Sequence, residues 1–341
     1  MSFNTGSDLR LTQLKEWLST LSAEKVLPDT IRPASADASF RRYFRIDSPD
    51  GESYIAMDAP PPHEDVRPFI HVAEVFGETG VSVPKVLERD VERGFLLLSD
   101  LGTTTYLHQL TPDSAHKLYL DAIDALVLIQ AQSKPGVLPE YDRALLHREL
   151  MLFPEWYVGK HLGVTMTEKQ NALLNSVFEV LLANNLAQPQ VYVHRDYHSR
   201  NLMVTERGNP GILDFQDAVY GPITYDLVSL LRDAYIQWDE EMVLDWAIRY
   251  WERARRAGLP VPHDIDAFYR DFEFMGLQRH LKVLGIFARL YHRDGKDGYL
   301  KDLPLVMEYT RKAAGRYKQL APLIVLLDEL ENKGPSTGFT F

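Results

Sequence analysis

The chain has no cysteine. Disulfides and thiolate chemistry are therefore excluded, and a structural zinc site loses its commonest ligand. Long apolar runs are missing too, and the longest falls far short of a membrane span. The first residues, MSFNTGSDLR, lack the apolar stretch of a secretory signal. Positive charge is in deficit: 48 acidic residues against 37 basic leave a net charge of −11. No Lys/Arg-rich block offsets that balance, which argues against a nucleic-acid footprint. The expectation is a cytoplasmic protein with no nucleic-acid partner, no membrane partner and no obligate protein partner. A small anionic ligand stays open, because a local basic cluster can hold one against the overall field.

What is present is an ordinary globular composition, 45% hydrophobic and 25% charged, over 341 residues. That is enough for two domains or one bilobal unit. Apolar spacing from Asp8 to Leu21 predicts a leading helix. Short β-like segments come next, at Thr30–Arg32, Phe40–Ile46 and Ser53–Met57. A helix is expected over His63–Gly80, ending on its glycine, and then a hairpin, Val86–Arg89 with Gly94–Leu98. Beyond Ser99–Thr103 the patterns turn helical, which places the domain boundary there. Thr111-Pro112-Asp113 is a helix start, with an N-cap, Pro at the first helical position and an acid behind it. Further helices are expected over Ala144–His161, Thr167–Leu186, Glu240–Ala257, Asp264–Tyr291 and Tyr299–Leu320. The fold class is thus α+β, with a small antiparallel sheet in 1–99, a mainly helical lobe in 100–333 and a loose tail in 334–341.

The most informative stretch is Val191–Asp217, VYVHRDYHSRNLMVTERGNPGILDFQD. It reads as strand, loop, strand, turn, strand, with Asp196, Asn201 and Asp214 at strand ends. A carboxylate in the first loop can take a hydroxyl proton. Asn201 and Asp214 offer hard oxygen ligands to Mg²⁺ carried on a nucleotide's phosphates. The spacing HxDxxxxN, followed by an Asp that ends an apolar strand, is that of a kinase catalytic loop and its metal-binding Asp. The plain alternative is a hairpin with solvated polar ends, and the strand context weighs against it. A zinc reading of His194 and His198 fails because the segment lacks the Glu of HExxH and is not helical.

With Gly221-Pro222 and Tyr225-Asp226-Leu227, this stretch resembles the aminoglycoside phosphotransferase family, small-molecule kinases with a bilobal protein-kinase-like fold. Longer strings are similar to the anomeric N-acetylmuramate/N-acetylglucosamine kinases of cell-wall recycling. These are Ala36–Arg45 (ADASFRRYFR), Met57–Pro61, His194–Asn201 and Met275–Gly285 (MGLQRHLKVLG). The resemblance implies an enzyme using ATP and Mg²⁺ to phosphorylate the C1 hydroxyl of a free amino sugar. It makes Asp196 the catalytic base, and Asn201 and Asp214 the Mg²⁺ ligands. It places Leu97–Leu101 at the hinge, where Ser99 and Leu101 meet adenine, and lays Ser35, Asp37 and Ser39 over the phosphates. The alternatives are transfer to an aminoglycoside or to another small acceptor such as choline or homoserine, and a nucleotide-binding pseudokinase.

Two departures stand out. Gln216 follows Asp214-Phe215, where protein kinases have Gly. The third strand, Tyr54-Ile55-Ala56-Met57-Asp58, lacks the phosphate-binding Lys. Arg41, Arg42 and Arg45 are the available cations, and strand alternation puts Arg41 and Arg45 on one face. Glu74 is the expected acid on the following helix. For the acceptor, Arg279 is the first candidate, since its planar fork matches a carboxylate, with His198 and Asp196 beside it. Trp156, Tyr157, Tyr220 and Tyr225 are possible sugar platforms, although such aromatics are more often core.

Overall fold

The computed structural model describes residues 8–21, 26–36 and 40–331. They pack into two compact units, Met1–Tyr106 with Asn201–Asp217, and Leu107–Arg200 with Ala218–Phe341.

The first unit is built on a five-stranded antiparallel sheet in the order β1-β2-β3-β5-β4. Its strands are β1 (Arg32–Ala36), β2 (Arg42–Asp47), β3 (Ser53–Asp58), β4 (Val86–Asp90) and β5 (Phe95–Ser99). Side chains alternate along each strand, so Phe44, Ile46, Ala56, Phe95 and Leu97 form one apolar cluster. Helix α1 (Leu9–Thr20) is part of it, through Leu14, Trp17 and Leu18. Asp8 caps α1 by accepting from the Leu11 N–H at 3.0 Å. Helix α2 (Arg67–Glu78) buries Phe69 and Phe76, whose rings lie 4.8 and 6.1 Å from that of Phe215.

The second unit is helical. It holds α3 (Tyr106–Gln109, whose first residue lies in the first unit), α4 (Pro112–Ala131), α5 (Arg143–Leu152) and α6 (Glu168–Ala187). A two-stranded ribbon pairs β6 (Gln190–Val193) with β9 (Val219–Pro222), while β7 (Leu202–Met203) and β8 (Gly211–Ile212) belong to the first unit. Then come α7 (Tyr225–Leu231), α8 (Glu240–Arg256), α9 (Ile265–Asp294), α10 (Leu303–Arg316) and α11 (Ala321–Leu330). Helix α9 is 30 residues long, and its run from Phe272 to Gly285 is buried on every face.

Four expectations need amendment. The sequence runs one helix from Ala144 to His161, but the α-helix stops at Leu152 and a π-helix spans Phe153–His161. Pro154 has no N–H to continue the α pattern, and the wider winding shows in Leu162 N–H donating to the Tyr157 carbonyl. Residues 33–36, between the expected segments Thr30–Arg32 and Phe40–Ile46, are strand, since β1 pairs with β2. Residues 321–330 form α11, a helix beyond the expected end at Leu320. The first unit extends to Tyr106 and takes in 201–217, so the units interleave along the chain instead of dividing near Ser99. Bridges from Ser82 to Gly211 and from Thr105 to Met203 bring that hairpin in. The expected tail, 334–341, lies outside the described residues.

Helix α9 approaches the end of α5 so closely that a Cβ on Gly285 would sit 2.4 Å from the Leu152 carbonyl. Gly285→Ala should therefore destabilise by about 1–3 kcal/mol, although an alanine in an unobstructed helix gains up to about 1 kcal/mol. Urea unfolding measures it, and a more stable variant would refute the close contact.

Candidate active site

Strand β6 delivers the chain into His194-Arg195-Asp196. Arg195 has φ of 79°, an unusual value for a residue with a Cβ, and the turn it makes needs support. Asp226, at the start of α7, provides it. Its carboxylate accepts from the His194 N–H at 2.6 Å and the Arg195 N–H at 3.0 Å. Asp233 anchors the other end by accepting from the Ser199 N–H at 3.0 Å and from the Ser199 hydroxyl. Tyr197 is buried and donates to the Ala122 carbonyl at 2.8 Å. Loop residues 194–199 are thus fixed at both ends and in the middle.

Below the loop lies a buried ionic cluster. Glu149 pairs with Arg195 at 2.5 Å and with Lys282 at 3.0 Å, and Tyr141 also donates to it. Lys282 donates to the Tyr225 hydroxyl at 3.0 Å. Burial pushes the Glu149 carboxyl up, but Lys282 and Arg195 overcome it and keep the group an anion.

Among these buried groups the Asp196 side chain is 42% exposed. Desolvation pushes its carboxyl up, yet Lys282, with Arg279 and Arg195, prevails and holds it well below the usual carboxylate range. Asp196 is therefore a fixed anion with an open face. His198 is buried beside it, and burial keeps its imidazole below its ordinary range. Arg279 comes within 3.8 Å of Asp196.

The other polar pair lies in the first unit. Asn201 Nδ2 is 3.3 Å from Asp214 Oδ2, and the Leu213 N–H donates to the Asn201 carbonyl at 2.9 Å. Asp214 also has a positive φ, 61°. Gln216, in place of the expected glycine, donates to Asp214 Oδ1 at 2.8 Å and steadies it. Among the described residues no group of three or more His, Asp or Glu could hold a metal unaided. One carboxylate and one amide oxygen suit a Mg²⁺ ion that takes its other ligands from phosphates and water.

The missing strand lysine has a structural counterpart. Asp58 is fully buried and is held by Arg10 Nε at 3.1 Å and Arg42 Nε at 3.0 Å. Arg42 is thus committed to the sheet. Arg45 is committed as well, bound to Asp100 and to the Gly102 carbonyl. Arg41 precedes β2, and its guanidinium lies 3.7 Å from Asp214. Glu74 is exposed on α2. The Ser99 hydroxyl accepts from the Lys85 N–H at 2.9 Å, and Leu101 packs against Gly211. Ser35 pairs through β1 with Tyr43, while Asp37 and Ser39 lie outside the described residues. Of the aromatic candidates, Tyr157 and Tyr225 are core.

The supporting residues Asp226, Asp233, Glu149 and Lys282 carry no role that the sequence alone assigns. Asp226 and Lys282 do stand in the strings that carry the resemblance. Glu149 and Asp233 give no signal of their own, because only the tertiary fold brings them under the loop.

A model of the phosphotransferase enzyme family matches residues 30–259. The chain belongs to that family. This phosphotransferase is 55% identical over 337 residues to the N-acetylmuramate/N-acetylglucosamine kinase of Neisseria meningitidis serogroup B, covering 97% of this chain and 99% of the relative. The kinase of the same name from Pseudomonas putida is 48% identical over 332 residues, covering 95% and 97%. Among solved structures, an amicoumacin kinase aligns with a TM-score of 0.62 at 15% identity, over 89% of this chain and 94% of that one. A choline kinase from Streptococcus pneumoniae aligns with a TM-score of 0.60 at 15% identity, over 88% and 98%. At that identity the likeness shows the fold: kinase-like, with a small antiparallel sheet in one lobe and a larger helical one. No helix among the described residues is long and apolar enough to cross a membrane.

Burial raises the Asp226 carboxyl from an ordinary 3.8 to about 6, against the opposing pull of His194 and the two N–H bonds. Between those values the folded chain holds a proton that the unfolded chain lacks, so this group favours folding more at pH 5 than at pH 7.5. The loop loses by the same proton, because a neutral carboxyl accepts more weakly. We expect kcat to fall as pH drops through about 6 while thermal stability does not. Asp226→Asn should remove that step and lower kcat about 10- to 100-fold at pH 7.5. Melting curves beside rate profiles test this, and parallel loss of both would assign the acid limb to unfolding.

Proposed function

We propose that this phosphotransferase uses ATP and Mg²⁺ to phosphorylate the anomeric hydroxyl of free N-acetylmuramate and N-acetylglucosamine. The observation that carries the chemistry is Asp196, an anion on a rigid loop with its carboxylate partly open. The acceptor class rests on near-full-length identity to kinases named for those two sugars.

Asp196 accepts a hydrogen bond from the C1 hydroxyl and aims its oxygen at the γ-phosphorus. The new O–P bond forms as the bond to ADP breaks, and the hydroxyl proton passes to Asp196 and then to water. A carboxylate held this far below its usual range is a weak base. Proton transfer therefore comes late, once bonding to phosphorus has made the hydroxyl acidic. Asn201 and Asp214 would hold the Mg²⁺, whose contribution is to neutralise phosphate charge. Arg41 is the arginine whose guanidinium lies beside Asp214, and we assign it the role of the absent strand lysine. Ser99 and Leu101 at the end of β5 complete the proposed nucleotide contacts among the described residues.

Asp196→Asn should lower kcat about 10²- to 10⁴-fold with little change in KM. The product is identified by ³¹P NMR with ATP, Mg²⁺ and either sugar, as a phosphate signal coupled to an anomeric proton. Near-normal turnover of the variant would remove Asp196 from the mechanism, and transfer only to kanamycin or choline would overturn the acceptor. Arg41→Gln should raise KM for ATP about 10-fold and leave KM for the sugar within about 2-fold. The reverse pattern would place Arg41 elsewhere.

A further inference from the structure

Within its buried run, α9 carries Glu273, Gln278, Arg279, His280 and Lys282. Four of these have clear partners. Glu273 takes hydrogen bonds from Arg232, Arg316 and Tyr317. Gln278 donates to the Leu146 carbonyl, His280 contacts the Arg232 carbonyl, and Lys282 has Glu149 and Tyr225.

Arg279 is different. Its side chain is 5% exposed, and its only ion pair among the described residues is the 3.8 Å approach to Asp196, too long for a hydrogen bond. Its Nε is buried with no partner. Asp233, the other nearby acid, is occupied by Ser199 and by the Tyr235 N–H. The ring of Tyr225, 6.0 Å away, gives the guanidinium an aromatic neighbour but no acceptor. A guanidinium taken out of water with its Nε–H unused is costly to fold, unless an anion arrives to use it.

We propose that Arg279 is the receptor for the carboxylate of an acidic acceptor, and so the residue that favours N-acetylmuramate over its neutral counterpart. This rests on the sugar-kinase function proposed for the site. The lactyl ether sits on C3, one ring atom beyond the neighbour of the reacting C1. Acid and reacting hydroxyl therefore reach protein groups lying close together, as Arg279 and Asp196 do. A planar fork offers two parallel N–H bonds to such an acid, which a lysine cannot.

The test compares kcat/KM for N-acetylmuramate, its lactyl carboxamide and N-acetylglucosamine in wild type, R279Q and R279K. Wild type should prefer acid to amide about 10-fold or more, and R279Q should bring that ratio to within about 3-fold of one. R279K should fall between, keeping the charge and losing the fork. An acid-to-amide ratio near one in wild type overturns the proposal without any variant, which covers a failure of R279Q to fold. Equal loss on all three acceptors also overturns it, and would assign Arg279 to the phosphoryl group or to placement of Asp196. If wild type phosphorylates none of the three, the sugar-kinase function falls, and this inference falls with it.

Discussion

Two backbone N–H groups converging on the Asp226 carboxylate hold the loop of residues 194–199 in shape. The donors belong to His194 and Arg195, and Arg195 has a backbone conformation that its Cβ resists. Without the acceptor that turn has no reason to persist, and Asp196 has no defined direction. Asp226 is buried and its proton affinity is raised, so its charge is costly as well as needed. A surface carboxylate would be cheaper to ionise, but water would compete for its lone pairs and the turn would loosen.

The cluster beneath is held in the same way, by buried charges with fixed partners. Arg195 serves twice, its N–H on Asp226 and its guanidinium on Glu149. Glu149 in turn fixes Lys282, the strongest of the cations that depress Asp196. A buried ion pair of this kind is poor evidence of stability, since desolvation consumes most of the Coulombic gain. Its value lies in position. Side chains from α5 and α9 are locked to the loop, and the field at Asp196 becomes a property of the fold. The close packing of Gly285 on Leu152 belongs to this arrangement, because it sets the approach of α9, the helix that carries both Arg279 and Lys282.

Much of this was legible in the sequence, for local reasons. Asp196, Asn201 and Asp214 sit at strand ends in a spacing that few other structures require, and the helix at Thr111-Pro112 announces its own start. The π-helix at Phe153–His161 was not legible as such, since Pro154 signals a break in the α pattern but not the wider winding beyond it. The arginines near β2 were a second failure. Alternation gave Arg41 and Arg45 one fate, but tertiary partners divide them, Arg45 to Asp100 and Arg41 toward Asp214. Glu149 and Asp233 were invisible because nothing near them in the chain distinguishes them from surface acids.

In the role proposed for Asp196, its depressed proton affinity bears on which hydroxyl it can serve. An ordinary alcohol gives up its proton reluctantly, and a carboxylate made so weakly basic would gain little by pulling on it. A hemiacetal hydroxyl is more acidic, and it becomes more so as its oxygen bonds to phosphorus. For such an acceptor the useful property is a fixed negative charge that orients the hydroxyl throughout, with the proton moving only when the transfer is nearly complete. The cations that make Asp196 a poor base also favour its anionic form. In the proposed reaction, a site arranged in this way favours acceptors that need direction more than deprotonation, as a sugar's anomeric hydroxyl does.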